Sequence, residues 1–215
     1  MTVTIGKVYH DDRLIVLDKP SGLLAVPGRG EHLQDCLSAR VQHEYPEALV
    51  VHRLDRDTSG VMVMALDAAA QRELSRQFAA RETNKSYIAI VAGSPTAEEG
   101  FVELPLRKDF DNPPRHRVDL ELGKPAQTRW RVLHRDADHA TLEVEPVTGR
   151  SHQIRIHLAE IGHPILGDPL YGDGTTTALA PRLMLHAARL TITHPDDGRR
   201  MTFEAACPFW RAATY

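Results

Sequence analysis

Residues 51–66 read VHRLDRDTSGVMVMAL, and this stretch decides how the rest of the chain is read. Its second half, Gly60 to Leu66, is a continuous apolar run too short for a typical helix, which predicts a central strand covered on both faces. Its first half packs His52, Arg53, Asp55, Arg56 and Asp57 into six residues directly before that strand. A charge cluster at a strand start is ordinarily a solvated loop. The functional alternative is that a stiff sheet holds one carboxylate at the rim of a cleft. Asp55 and Asp57 could form an acid–base pair, but on an extended strand a spacing of two sends them to opposite faces.

Working outward, Asp67 is placed to cap a helix from Ala68 to about Arg81, with Ala70, Leu74 and Phe78 inward. On the N-terminal side, Arg13 to Asp18 (RLIVLD) reads as a buried strand closed by the turn Lys19-Pro20-Ser21-Gly22. Leu33 to Tyr45 reads as a helix stopped by Pro46. Further strands are expected at Ser86–Val91, Phe101–Leu106, Thr128–Leu133, Thr141–Val147, Arg189–Thr193 and Met201–Glu204. In Thr128–Leu133, Thr128, Trp130 and Val132 alternate with Arg129 and Arg131, which gives one wet face. Many strands follow one another without an intervening helix. The fold class is therefore α+β, with a large, mainly antiparallel sheet flanked by helices.

The chain has 215 residues, 42% apolar and 26% charged, with no repeat and no linker. That predicts one domain over residues 1–215, large enough to fold without a disulfide or structural metal. Cys36 and Cys207 form no CxxC pair, Met1 to Val8 holds no signal core, and no apolar run nears 18 residues. A reduced cytoplasmic protein without a membrane span is expected. The absence of heptads predicts a monomer. With 26 Lys and Arg against 29 Asp and Glu, the net charge is −3. An RNA partner would then need a local basic groove on an acidic body.

A second dense segment is Thr148–His157, TGRSHQIRIH, followed by GHPILGDPLY at 162–171. Ser151 is a plausible N-cap for a short helix with Ile154, Leu158 and Ile161 buried. His152 and Arg155 then share a side face, able to meet a phosphate or carboxylate, or else lie on an exposed polar flank. His152, His157 and His163 do not lie on one helical face, so no metal site is expected. VPGRG at 26–30 is no P-loop, and no acyl-transfer nucleophile signature occurs.

In order along the chain, KPSGLLAVPG (19–28), VHRLDRDTSGVMVMA (51–65), KSY (85–87), GRSHQIRIHLAEIGHPILGDPLYG (149–172) and PRLMLHA (181–187) resemble the landmarks of RluA-family RNA pseudouridine synthases. The resemblance runs from about residue 10 to 205 and is closest to the short members that act on both large-subunit (23S-type) ribosomal RNA and the tRNA anticodon arm. It implies the pseudouridine synthase fold with a catalytic cleft across the sheet, and no S4-like N-terminal domain. It implies Asp55 as the catalytic carboxylate, with Tyr87 and Leu185 at the target base. Arg155 would pair with that carboxylate, and Arg53 would enter the RNA where the uridine has left. His52 and Arg150 are further RNA-binding candidates. Arg56, Lys108, Arg115 and Arg117 complete a candidate cationic strip, the last three as a flexible rim. The implied partner is structured RNA. An internal rearrangement needs neither redox cofactor nor metal. A nucleic-acid glycosidase and a non-catalytic RNA-binding module are the competing classes, separated by the product formed: isomer, free uracil or none.

Overall fold

The computed structural model describes residues 5–210. In chain order it contains β1 (Gly6–His10), β2 (Leu14–Lys19), a 3₁₀ turn (Glu31–Leu33), α1 (Leu37–Glu44), β3 (Leu49–Val50), β4 (Ser59–Ala65) and α2 (Ala68–Ala80). There follow β5 (Asn84–Ala92), β6 (Glu99–Glu103), β7 (Leu106–Lys108), β8 (His116–Val118), β9 (Gln127–Arg135) and β10 (His139–Pro146). The chain closes with α3 (Gln153–Glu160), α4 (Gly174–Ala178), β11 (Leu185–Thr193) and β12 (Arg200–Glu204). The span read as one domain holds two compact units, residues 5–85 with 186–207 and residues 86–185 with 208–210. The ends of that span, 1–4 and 211–215, lie outside the described residues. Among the described residues, no helix is long and apolar enough to cross a membrane.

In the first unit β4 is buried along its whole length, as the run GVMVMAL predicts. It pairs with β2 antiparallel and with β11 in parallel, through Ser59↔His186 and Gly60↔Ala187. β1 extends β2, β12 extends β11, and β3 pairs with one end of β4. The core joins Leu14, Val16, Val61 and Val63 to Ala70 and Leu74 of α2 and to Leu190, Ile192 and Phe203. Each large apolar side chain so buried contributes roughly 1.5–3 kcal/mol. Asp67 caps α2 as its type predicts, accepting hydrogen bonds from the Ala69 and Ala70 amides.

In the second unit β5, β10, β9 and β6 pair antiparallel in that order. Thr128 and Trp130 point inward and Arg129 and Arg131 outward, in the expected alternation. β7 and β8 form a separate antiparallel hairpin.

Four local readings change. The helix placed at 33–45 begins at Leu37. Leu33 belongs to the 3₁₀ turn, and the Cys36 sulfur accepts from the Ala39 amide at the true N-terminus. The strand at 101–106 stops at Glu103 and pairing resumes at Leu106, with Pro105, which has no N–H, between. The Pro-rich stretch carrying Lys108, Arg115 and Arg117 is a paired hairpin, not a flexible rim. The N-cap of α3 is His152, in the left-handed region at φ 57°, and not Ser151.

Candidate active site

In the first unit, the segment preceding β4 is a loop with a turn at Arg56-Asp57, not an extended strand. The opposite-face argument for Asp55 and Asp57 therefore does not apply. Asp57 instead accepts from the guanidinium of Arg56, at 3.0 Å from Nε. The loop is tied down through its main chain. The Lys19 ammonium is fully buried and donates to the carbonyls of Pro20 (2.9 Å), Leu23 (2.7 Å) and Arg56 (2.9 Å). The Gly22 amide donates to the same Arg56 carbonyl, and the Ser21 hydroxyl to the Asp57 carbonyl. The turn 19–22 and the loop 55–57 thus form one hydrogen-bonded body, with Asp55 half-buried and Arg53 exposed.

His52 anchors the loop from its other end. Its ring stacks on Phe78 of α2, with centroids 4.3 Å apart, and its Nε2 accepts the Val63 amide at 3.1 Å. The ring proton therefore sits on Nδ1. Burial, aided by the nearby Lys85 charge, pushes the His52 pKa down to about 3, so the imidazole is neutral at physiological pH.

Beyond the loop, Ser59 and Gly60 pair with His186 and Ala187. The His186 Nε2 faces the Ala205 carbonyl at 3.1 Å, and its Nδ1 lies 2.8 Å from the Ser59 hydroxyl. Gly60 has φ 112°, and a Cβ there would sit 2.2 Å from the Ala187 carbonyl oxygen, so only glycine fits.

The second unit holds Tyr87, Arg150, Arg155 and Leu185. Leu185 is buried in the unit's main cluster, and the half-buried Tyr87 on β5 packs against that cluster. Arg150 is half-buried, its Nε donating to the Pro125 carbonyl at 3.1 Å. Arg155 is not on an exposed flank, because every residue from Gln153 to Leu158 is buried. Its guanidinium makes a bidentate ion pair with Asp168, Nε to Oδ2 at 2.8 Å and an NH2 to Oδ1 at 2.6 Å, and lies over the Tyr171 ring. The Leu170 and Tyr171 amides also donate to Asp168. Burial works to raise the Asp168 pKa, but the Arg155 hydrogen bonds and charge, with those two amides, outweigh it and hold the carboxyl below its usual value.

Gln153 closes the same region. Its carbonyl accepts from Thr148 and the Arg150 amide, and its amide donates to the Gln127 carbonyl and Thr128. The three histidines weighed as metal ligands have other duties. His152 Nδ1 shares a hydrogen bond with the Tyr171 hydroxyl, His157 lies between Thr128 and the Leu104 carbonyl, and His163 faces the Ala92 carbonyl. Asp168, Lys19 and His186 were not singled out in sequence. The only signal for each is its place inside a quoted motif.

Three comparisons bear on this arrangement. Residues 13–160 match the family model described as RNA pseudouridylate synthase. The chain is 53% identical over 203 residues to the dual-specificity RNA pseudouridine synthase RluA of Escherichia coli K12, covering 94% of this chain and 93% of that protein. It is 48% identical to the protein of the same name from Haemophilus influenzae, with the same coverage. Among solved structures it resembles human RNA pseudouridylate synthase domain containing 1, at TM-score 0.82 and 26% identity, covering 96% of this chain and 85% of that one. Human RNA pseudouridylate synthase domain containing 4 matches at TM-score 0.76 and 26% identity, over 95% and 89% of the two chains.

Proposed function

The chain belongs to the RNA pseudouridylate synthase family, and from that premise we propose that Asp55 is the carboxylate that carries its reaction. The activity is the isomerisation of uridine to pseudouridine within RNA. The N1–C1′ bond breaks, the base turns, and C5 joins C1′, with one proton lost from C5 and one gained at N1. Atoms and oxidation level are conserved, so the chemistry calls for a held carboxylate, a held base and an exposed nucleotide. Enzymes acting on a base in structured RNA flip it from the stack.

The observation that supports Asp55 is the main-chain anchoring of its loop by Lys19, Gly22 and Ser21 at the head of a wholly buried strand. A carboxylate on so stiff a mount keeps its aim, which a reacting group requires. Asp55 acts by attack on the sugar or by removing a sugar proton to give a glycal. Tyr87 and Leu185 contact the target base, and Arg53 occupies the space the uridine leaves, where a planar guanidinium stacks and bonds phosphate at once. By the resemblance, Arg155 is the arginine that pairs with the catalytic carboxylate, besides its ion pair with Asp168. Arg150 and His52 support the RNA, His52 by fixing the loop on which Arg53 stands.

The substrates are large-subunit ribosomal RNA and the tRNA anticodon arm, in keeping with relatives named dual-specificity. The test is Asp55→Asn on both RNAs. The variant should bind each RNA as the parent does and form no pseudouridine. Turnover by a variant preparation free of deamidation refutes the Asp55 assignment, and parent activity on one RNA alone refutes the dual one. Release of free uracil would indicate a glycosidase.

A further inference from the structure

The β7–β8 hairpin carries an aromatic side chain that the fold does not use. Phe110, at its tip, is 67% exposed. A single exposed apolar side chain needs no explanation, but the surroundings of this one are specific. The Arg107 guanidinium lies 5.6 Å and the Lys108 ammonium 5.5 Å from its ring centroid. Across residues 106–118 the formal charge is +2, from Arg107, Lys108, Arg115 and Arg117 against Asp109 and Asp111, on a chain whose net charge is −3. Arg107 is paired with Asp119, and Arg117 lies 4.0 Å from Asp109. Among the described residues Lys108 and Arg115 have no carboxylate within ion-pair distance.

The tip is also built to hold its shape. Asp109 is buried, accepts from the Asp111 amide and the Asn112 side chain, and donates its own amide to the Arg115 carbonyl. At the hairpin's base, Leu106 and Val118 pack with Ala126, Ile156 of α3 and Tyr171, whose hydroxyl accepts the His116 amide. Phe110 is therefore presented on a stiff arm. It is not tucked into the core, where an apolar ring would gain most.

We propose that Phe110 is a stacking platform for an unpaired base of the RNA substrate, with Lys108 and Arg115 taking the phosphates on either side. A ring flanked by cations suits this ligand. Every base has a π-face that stacks on an aromatic, while the backbone beside it supplies the anion. The positive charge of the arm favours an anionic partner over a basic one. The inference rests on the RNA-modifying function and adds a residue outside the motifs.

The experiment uses a stem-loop RNA that the parent enzyme modifies. Phe110→Ala should weaken binding roughly 5- to 100-fold, the loss of one stacked base, and leave the slope of affinity against salt unchanged. Phe110→Trp should restore binding, and Phe110→Leu should not. Placing an abasic site at one loop position should abolish the difference between Phe110→Ala and the parent. Equal binding by parent and Phe110→Ala on every substrate overturns the platform. So does a binding loss that no abasic position cancels, or one that tracks the breakup of a dimer in sedimentation. If the parent itself forms no pseudouridine on any stem-loop offered, the functional reading fails instead.

Discussion

Replacing Asp168 by Asn leaves the shape of the site and removes its charge. One amide oxygen can still accept the Leu170 and Tyr171 amides, now held at 2.8 and 3.1 Å. The other oxygen becomes an NH2 turned toward the Arg155 Nε, donor against donor. Arg155 is only 2% exposed, so water does not replace the lost carboxylate oxygen. Breaking a buried pair from one side costs about 3–5 kcal/mol. For a chain of this size each kcal/mol moves Tm by about 2–4 °C, so Asp168→Asn should unfold some 6–20 °C below the parent. Adding Arg155→Met removes the guanidinium that faces the new amide and should recover most of the loss, with a coupling of about 2 kcal/mol or more. Thermal and urea unfolding of the parent, both single variants and the double variant complete the cycle. A single-variant loss under about 1 kcal/mol, or strictly additive losses, would refute the buried-pair account. Because the folded Asp168 pKa lies below its unfolded value, its stabilisation is full above about pH 4 and is lost as pH falls through the folded value.

His52 gives a second pH effect in a higher window. The unfolded ring protonates near 6.5 and the folded one only near 3. Stability should therefore fall between those values by up to about 1.4 kcal/mol per pH unit. His52→Gln, which can still accept the Val63 amide, should lose about 2 kcal/mol less than the parent between pH 7 and 5 in urea titrations, and equal losses would exclude the neutral-ring reading. Gly60→Ala sets a methyl 2.2 Å from the Ala187 carbonyl at φ 112° and should cost about 3 kcal/mol or more in chemical denaturation. Arg53→Ala should slow the single-turnover rate at saturating RNA, whereas Lys108→Ala should weaken affinity and flatten the salt slope by about 0.7–0.9. A purely affinity-level effect of Arg53→Ala would make it an ordinary phosphate contact.

The elements legible in sequence were those whose cause is local. β4 declares itself by an unbroken apolar run, and α2 by Asp67 and its inward residues. β1 and β8 do not, because GKVYH and HRV are short and largely polar and become strands only by pairing with a partner. On α3 the spacing of Ile154, Leu158 and Ile161 makes the core-facing side legible, with Ile161 only half-buried. The opposite face is not legible, because its burial depends on Asp168, thirteen residues further on, and on Thr128 behind His157. Lys19 was read as part of a turn. Lysine is almost never fully buried, and although the Pro20 and Leu23 carbonyls are local, the third that converges on its ammonium belongs to Arg56, far along the chain.

These partners give a physical reason for motifs far apart in the chain to occur together. Lys19 and Ser21 hold carbonyls of 56 and 57, and Gly60 is glycine because the Ala187 carbonyl lies against it. The segments 19–22, 51–60 and 186–187 therefore answer to one another through main-chain atoms. In the second unit, Gly167 and Arg182 answer to one another in the same way, since a Cβ at Gly167 would meet the Arg182 carbonyl at 1.9 Å, while Arg155 and Asp168 do so through their side chains. Because the Asp55 loop is fixed by the carbonyls of Arg56 and Asp57, changing the side chain at 53 or 55 leaves those hydrogen bonds standing. Asp55→Asn and Arg53→Ala should accordingly fold as the parent does, so their kinetic losses can be assigned to the reaction and not to the mount. A fall in Tm for either variant as large as that of Asp168→Asn would mean the loop is held by those side chains after all.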